Sequence, residues 1–406
     1  MAATMYQYSV RDKAGKVVTG TIEADSPAAV AQKLKSMGYA PVSISEHKAG
    51  IKTELRIPGF GGRVKMKDLA VMSRQFATMI NSGLSLIRAL NILSEQTESK
   101  KLAEILGEVR NEVETGKSLS EAMGGFPEVF PPLMVNMIKA GEVGGFLDQV
   151  LLQIAANYEA EVHLRGKIKA AMTYPVVVFI IAIIAVIGML LFIVPVFAKM
   201  FITLGGELPA PTRMLIFLSE VLKKGFPVFI VAAIAGAVTW GKVKRKEQVR
   251  NFVDPLKLRL PVFGTLFQKI ALSRFTRNFG TMLHAGVPIL QSLDIVADTS
   301  GNIVIANAVR DVQESVRNGE SLTAPLAQHS VFPAMVVQMM AVGEDTGALD
   351  SMLHKISEFY DQDVEATTES LTALIEPLMI AFLGGVIGAM IIAMYMPIFK
   401  IFDLIK

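Results

Sequence analysis

The chain is built twice, and each copy ends in an apolar run long enough to cross a membrane. Met72 to Met200 returns as Phe275 to Phe402, displaced by 203 residues at first and by 202 after a one-residue deletion. Ser73-Arg74-Gln75-Phe76-Ala77-Thr78-Met79 becomes Thr276-Arg277-Asn278-Phe279-Gly280-Thr281-Met282. Tyr158 falls on Tyr360, Pro175 on Pro377 and Pro195 on Pro397. Solenoid repeats run to roughly 20–50 residues, so a repeat of this length is a duplicated domain. Whatever chemistry one copy carries should be visible, or visibly degraded, in the other.

Three stretches carry no charge: Ala170 to Ala198, Gly225 to Gly241 and Pro377 to Phe399. They concentrate the 51% hydrophobic content and the mean hydropathy of +0.44. Each reaches the roughly 17–25 residues that a helix needs to span about 30 Å of hydrocarbon. Buried core helices are shorter than this, so three membrane spans are expected. Residues 1–10 are short, polar and followed by charge, unlike a signal peptide. A net charge of +3 with no basic-aromatic pattern argues against nucleic acid. The absence of cysteine excludes thiolate metal sites, disulfides and thiol catalysis.

Arg165, Lys167 and Lys169 precede the first span, and Lys242, Lys244, Arg245, Lys246 and Arg250 follow the second. By the positive-inside bias both large polar regions face the cytoplasm. Two direct copies of domain-then-span would face opposite sides unless one extra crossing lay between them. Residues 225–241 are that crossing.

The fold class expected is mainly α: a polytopic membrane protein with two homologous six-helix cytoplasmic domains and a small α/β module in front. Residues 1–46 form the module, with alternating segments at Tyr6 to Val10, Lys16 to Ile22 and Ala40 to Ser45. The turn Asp12 to Gly15, the cap Ser26-Pro27 and the stop Gly38 punctuate it. Residues 47–63 read as a flexible linker. Then come the first helical domain (64–169), span one (170–198), a short outer loop (199–224) and span two (225–241). The second helical domain (242–375), span three (376–399) and an outer tail (400–406) complete the chain. Gly83 and Gly286 stop helices in the two copies, and Ser118 with Glu121 forms a capping box. Pro175 and Pro195 bracket the first span, and Pro377 and Pro397 the third. Gly384, Gly385 and Gly388 put a small-residue stripe on the third span, where another helix could pack closely.

Catalytic constellations are missing. Gly116-Lys117-Ser118 ends like a phosphate-binding loop, but Asn111 stands where the motif needs glycine, and the second copy reads Gly319-Glu320-Ser321. The five histidines, His47, His163, His284, His329 and His354, form no ligand spacing, and none recurs in its repeat partner. Glu142 and Glu344 recur inside a glycine-rich turn marked by Gly141, Gly145, Gly343 and Gly347. A carboxylate there caps a helix start; a divalent cation would want more oxygen ligands than the neighbours supply. Glu376 at one span mouth answers to Tyr174 at the other, so a shared proton relay is not expected.

These residues resemble the type II secretion system F-domain family, the inner-membrane platform proteins of type IV pili and type II secretion. The turns Gly141 to Asp148 and Gly343 to Asp350 carry the resemblance, as do Tyr174-Pro175 and Glu376-Pro377 at the openings of the spans. The ending Ala393 to Phe399 looks more like the pilus branch. The resemblance implies a non-enzymatic platform without cofactor in the bacterial inner membrane. It implies docking of a hexameric assembly ATPase, with a retraction ATPase as a further candidate, and contact with pilin subunits and other pilus assembly proteins of that membrane. Self-association as a dimer or higher is implied too. The rival readings are a secretion platform and a small transporter, and the latter would need polar residues along a path through the bilayer.

Overall fold

Apolar residues recur at three- and four-residue spacing through both copies, and helices form where that spacing runs between a cap and a glycine. A computed structural model describes residues 4–11, 17–24, 27–36, 40–46, 64–203, 208–243 and 246–404. Two units separate, residues 1–63 and 64–406.

In the first unit β1 (Thr4–Arg11), β2 (Val17–Ala24) and β3 (Ala40–Glu46) form an antiparallel sheet in the order β2-β1-β3. Tyr8 stands opposite Gly20 on one side and Ile44 on the other. Helix α1 (Pro27–Ser36) packs against β2 and β3. It buries Val30 and Leu34, four apart on one face. The expected turn at Asp12 to Gly15, the cap Ser26, the stop Gly38 and the linker 47–63 lie outside the described residues.

The second unit holds both copies. The first contains α2 (Met66–Asn81), α3 (Leu86–Gln96), α4 (Lys100–Glu114), α5 (Leu119–Gly124), α6 (Pro132–Gly144) and α7 (Leu147–Gly188). A π-helical turn (Met189–Ile193), α8 (Val194–Thr203), α9 (Ala210–Val243) and α10 (Glu247–Arg259) follow. The second copy contains α11 (Phe263–His284), α12 (Ile289–Thr299), α13 (Ile303–Arg317), α14 (Thr323–Leu326), α15 (Ala334–Thr346) and α16 (Leu349–Leu404).

Leu69, Met72, Phe76 and Ala77 line the inner face of α2, and Leu102, Ile105, Leu106 and Val109 that of α4. One continuous core runs through both copies. Phe76 and Phe279 hold equivalent places in it, both fully buried, each contributing about 1.5–3 kcal/mol by removal from water.

Three expectations are corrected. The last helix of each domain and the span after it are not separate elements: α7 runs 42 residues and α16 runs 56 without a break. The helices run on through residues 170 and 376, and the backbone ladder there lacks only the N–H donors of Pro175 and Pro377. Residues 199–224 are not a loop, since α8 reaches Thr203 and α9 begins at Ala210. Pro211 falls in the first turn of α9, where its missing N–H is no loss. In the same way α16 carries on through residues 400–404, where a tail was expected.

The four span prolines lie inside helices rather than at their ends. Proline leaves the carbonyl four residues back without its N–H donor, and in hydrocarbon that oxygen needs another partner. Pro175 frees Ala171, whose oxygen lies 3.5 Å from the Thr372 hydroxyl of α16, although that hydroxyl makes its shorter bond, 2.9 Å, to Thr368 in its own helix. Pro397 frees Ala393, whose oxygen accepts the Thr212 hydroxyl from α9 at 2.5 Å. Pro195 follows the π-helical turn, where Val194 N–H already reaches five residues back to Met189. The next carbonyl in that register, Leu190, accepts the Ser219 hydroxyl from α9 at 2.5 Å. Helix α9 is thereby tied to both neighbours, and Leu215, Ile216 and Leu222 pack on a small cluster of Leu190, Val194, Met390 and Met394.

Among the described residues two helices, Leu147–Met200 and Leu349–Pro397, are long and apolar enough to cross a membrane, or three if the bent halves of α9, meeting at 47°, form one span. Gly384, Gly385 and Gly388 meet nothing where a Cβ would stand. Among the described residues the close helix contact expected at this stripe is not made.

Candidate functional site

Glu142 and Glu344 stand in the last turns of α6 and α15, not in the turns that follow, and each reaches a different helix. Leu119 N–H donates to Glu142 Oε1 (2.5 Å) and Ser120 N–H to Oε2 (3.0 Å), at the start of α5. In the second copy Leu322 N–H donates to Glu344 Oε1 (2.8 Å), while the Ser321 and Thr323 hydroxyls donate to Oε2 (3.1 and 3.2 Å). Leu119 and Leu322 are themselves repeat partners. A carboxylate at a helix N-terminus meets unpaired N–H groups and the positive end of the dipole. Both oxygens of each carboxylate are occupied.

The flanking glycines serve two different needs. A Cβ on Gly141 would come within 3.0 Å of Val150 Cγ2 and 3.1 Å of Leu147 Cα, and one on Gly343 within 2.9 Å of Leu349 Cα. The next helix therefore closes directly over the bare backbone. Gly145 and Gly347 end α6 and α15 at φ of 76° and 70°, the left-handed region that glycine enters without strain. Gly83 and Gly286 close α2 and α11, likewise at positive φ.

A second repeated constellation escaped the sequence reading. Arg74 Nε donates to Glu159 Oε1 at 2.7 Å, joining α2 to α7. Its counterpart Arg277 joins α11 to α16 through Asp361, the repeat partner of Glu159. The signal was present: Arg74 and Arg277 lie in the repeated heptapeptide, and each acid directly follows the repeated tyrosine.

The copies differ in how these pairs are buried, because the copies meet over Arg277. Its side chain is 6% exposed and that of Glu161, from the first copy, 11%. Glu161 accepts from Arg165 (2.6 Å) and Arg274 (2.8 Å) and lies 3.7 Å from Arg277. Burial alone would push the Glu161 carboxyl up; Arg274, Arg165 and Arg277 outweigh it and hold the group below its ordinary value. Asn157 adds hydrogen bonds to Asn278 (3.2 Å) and Thr281 (3.3 Å), and Gln291 reaches Asn136 at 2.9 Å. A cavity of about 600 Å³ lies along this seam, lined by Asn157, Arg277, His284, Asp350 and Asp361 among others. Arg277 Nη1 and Gln153 Oε1, on residues beside it, are buried without hydrogen-bond partners.

His284, His329 and His354 pair singly with Asp350 (2.8 Å), Asp311 (3.0 Å) and Glu358 (3.3 Å). Among the described residues no group of three or more acids and histidines is placed to hold a metal ion.

The family profile described as "Type II secretion system (T2SS), protein F" matches residues 72–195 and again 275–397. A second, "Type II secretion system protein F, N-terminal domain", matches residues 1–45. A type IV pilus assembly protein PilC of Myxococcus xanthus is 43% identical over 98% of this chain and 95% of its own length. One of Thermus thermophilus is 44% identical over 98% of both. A type II secretion system protein F of Aeromonas hydrophila is 31% identical over 95% of this chain and 99% of its own. With one profile falling once on each copy and relatives aligned almost end to end, the chain belongs to the type II secretion system protein F family.

Proposed function

We propose that this chain is the inner-membrane platform of a type IV pilus assembly machine. The observation that carries the pilus reading is the gap in identity. The relatives at 37–44% identity are named for pilus assembly, whereas those named for secretion match at 31–33%, a level that two further pilus assembly relatives share. The platform is not an enzyme: it takes up work from a hexameric assembly ATPase and passes it to pilin subunits leaving the bilayer. The repeats support this, because a single core and the Glu161 seam make both copies one rigid lever.

Helix α9 is read as the middle of three spans, supported by its hydroxyl bonds to α16 and to the turn after α7. Both helical domains then face the cytoplasm, where the motor is. The α/β module of residues 1–46 folds apart from them as a second contact element. Glu142 and Glu344 serve as fasteners inside each domain rather than as cation ligands. The open stripe at Gly384, Gly385 and Gly388 is where a second copy packs in a dimer or larger assembly.

The experiment is binding in nanodiscs. The full chain should hydrolyse no ATP alone and should bind the purified assembly ATPase and change its turnover. ATP hydrolysis by the chain itself, or no binding to the motor, would overturn this reading.

A further inference from the structure

Helix α10 carries an apolar face that is left exposed among the described residues. At 100° per residue Phe252 and Leu256 share one side, and Asp254 points the opposite way. The Asp254 side is the attached one: the buried carboxylate accepts the N–H of Ile303 at the start of α13 (3.2 Å) and bonds Lys257 (2.9 Å). The other side is left outward, with Phe252 74% exposed and Leu256 52%. Leu260 and Val262 continue it past the helix end, at 43% and 52%. Four large apolar side chains exposed together within eleven residues of a charged segment are unusual for a surface in water.

The corner after α10 is held firmly in this pose. A Cβ on Gly264 would stand 2.2 Å from the Leu258 carbonyl oxygen, so α11 turns tightly under α10. Val262 sits at φ 71°, a strained conformation for a β-branched residue.

The corner also has a definite height. Leu266 and Phe263, at the start of α11, pack with Leu164 of α7 and with Val364 and Leu371 of α16. Leu164 and Leu371 each lie six residues before an uncharged run, at Ala170 and Pro377. Six helical residues rise about 9 Å, comparable with the roughly 5–7 Å interfacial layer on each side of the hydrocarbon. Charge points the same way. Residues 242–259 hold seven lysines and arginines against two acids, a net +5 where the whole chain carries +3.

We propose that α10 is an interfacial anchor. It lies in the plane of the membrane surface with Phe252, Leu256, Leu260 and Val262 at the acyl boundary, and its basic flanks meet anionic lipid headgroups. The occupant is the bilayer that the chain itself spans, because Val243 ends α9 only four residues before α10 begins. This rests on α9 crossing that bilayer. The anchor would fix the tilt of the second helical domain against the membrane and give a motor's push a fulcrum.

The chain has no cysteine, so single nitroxide labels can be placed at will. Phe252→Cys and Leu256→Cys are labelled in the full chain in nanodiscs containing phosphatidylglycerol, and collisions with oxygen and a water-soluble nickel chelate are compared. Glu104→Cys, exposed on α4, sets the aqueous reference, and Val231→Cys, exposed on α9, the hydrocarbon one. Labels at 252 and 256 should collide with nickel several-fold less than the label at 104, and the protection should fall in phosphatidylcholine alone. If 231 reads as hydrocarbon while 252 and 256 match 104, the anchor is wrong and the face serves a protein partner instead. Protection that is equal in neutral lipid contradicts the electrostatic half of the proposal. An aqueous reading at 231 overturns the α9 crossing and the anchor together.

Discussion

At the residue scale, two glutamates do different work with the same carboxylate. Glu142 sits within one copy and satisfies two N–H groups at the start of α5. Glu161 sits between copies and faces three arginines: Arg165, half in water, Arg274, and Arg277, which also pairs with Asp361. Chemical denaturation of the detergent-solubilised chain separates them. Glu142→Gln should cost about 0.5–2 kcal/mol, as a lost cap does, with no gain on adding calcium to the parent. Glu161→Gln should cost up to about 3 kcal/mol, the low end for a broken buried ion pair because Arg165 stays half in water. It should also change the pH profile. The Glu161 carboxyl is depressed in the folded state, so its stabilisation is complete above the ordinary value of 4.5 and is lost as the pH falls through the folded value. The variant should lack that part of the acid slope; an unchanged slope would mean that the seam does not hold the copies together.

At the element scale the sequence was most legible where the signal is local. Ser118 caps α5, accepting from Glu121 N–H at 3.2 Å, which is one of the two bonds of the expected capping box. Gly145 and Gly347, read from the sequence only as turn glycines, end α6 and α15 in the left-handed region. Long-range partners were not legible. Glu142 bonds residues 22 and 23 positions away, and Arg274 finds Glu161 across 113, separations at which helical periodicity says nothing. The prolines misled for a related reason. A proline marks a helix end when its orphaned carbonyl finds no partner inside the fold, and at Pro195 and Pro397 hydroxyls from α9 stand in. Thr212→Val and Ser219→Ala should each weaken α9 docking by about 0.6 kcal/mol and at most about 1.7, the range measured for hydrogen bonds between membrane helices. Unfolding in bicelles reads this, and a neutral double variant would show that the prolines are tolerated for another reason.

At the scale of the whole molecule, duplication has produced one body from two domains. The shared core passes from Phe76 in one copy to Phe279 in the other, and the long helices α7 and α16 carry that body directly into segments apolar enough to cross a membrane. A displacement imposed on the helical domains is transmitted along two unbroken helices instead of across flexible joints. The copies have nevertheless diverged: the Arg74 pair is half in water, whereas the Arg277 pair is drawn into the seam.

The most direct test of the platform account is a clean deletion of the gene in its own host. Surface pili and membrane pilin are measured side by side, with export of folded proteins into the medium as the second channel. Loss of pili with pilin retained in the inner membrane and export unchanged is the predicted result. Normal piliation, with or without a defect in export, would contradict it.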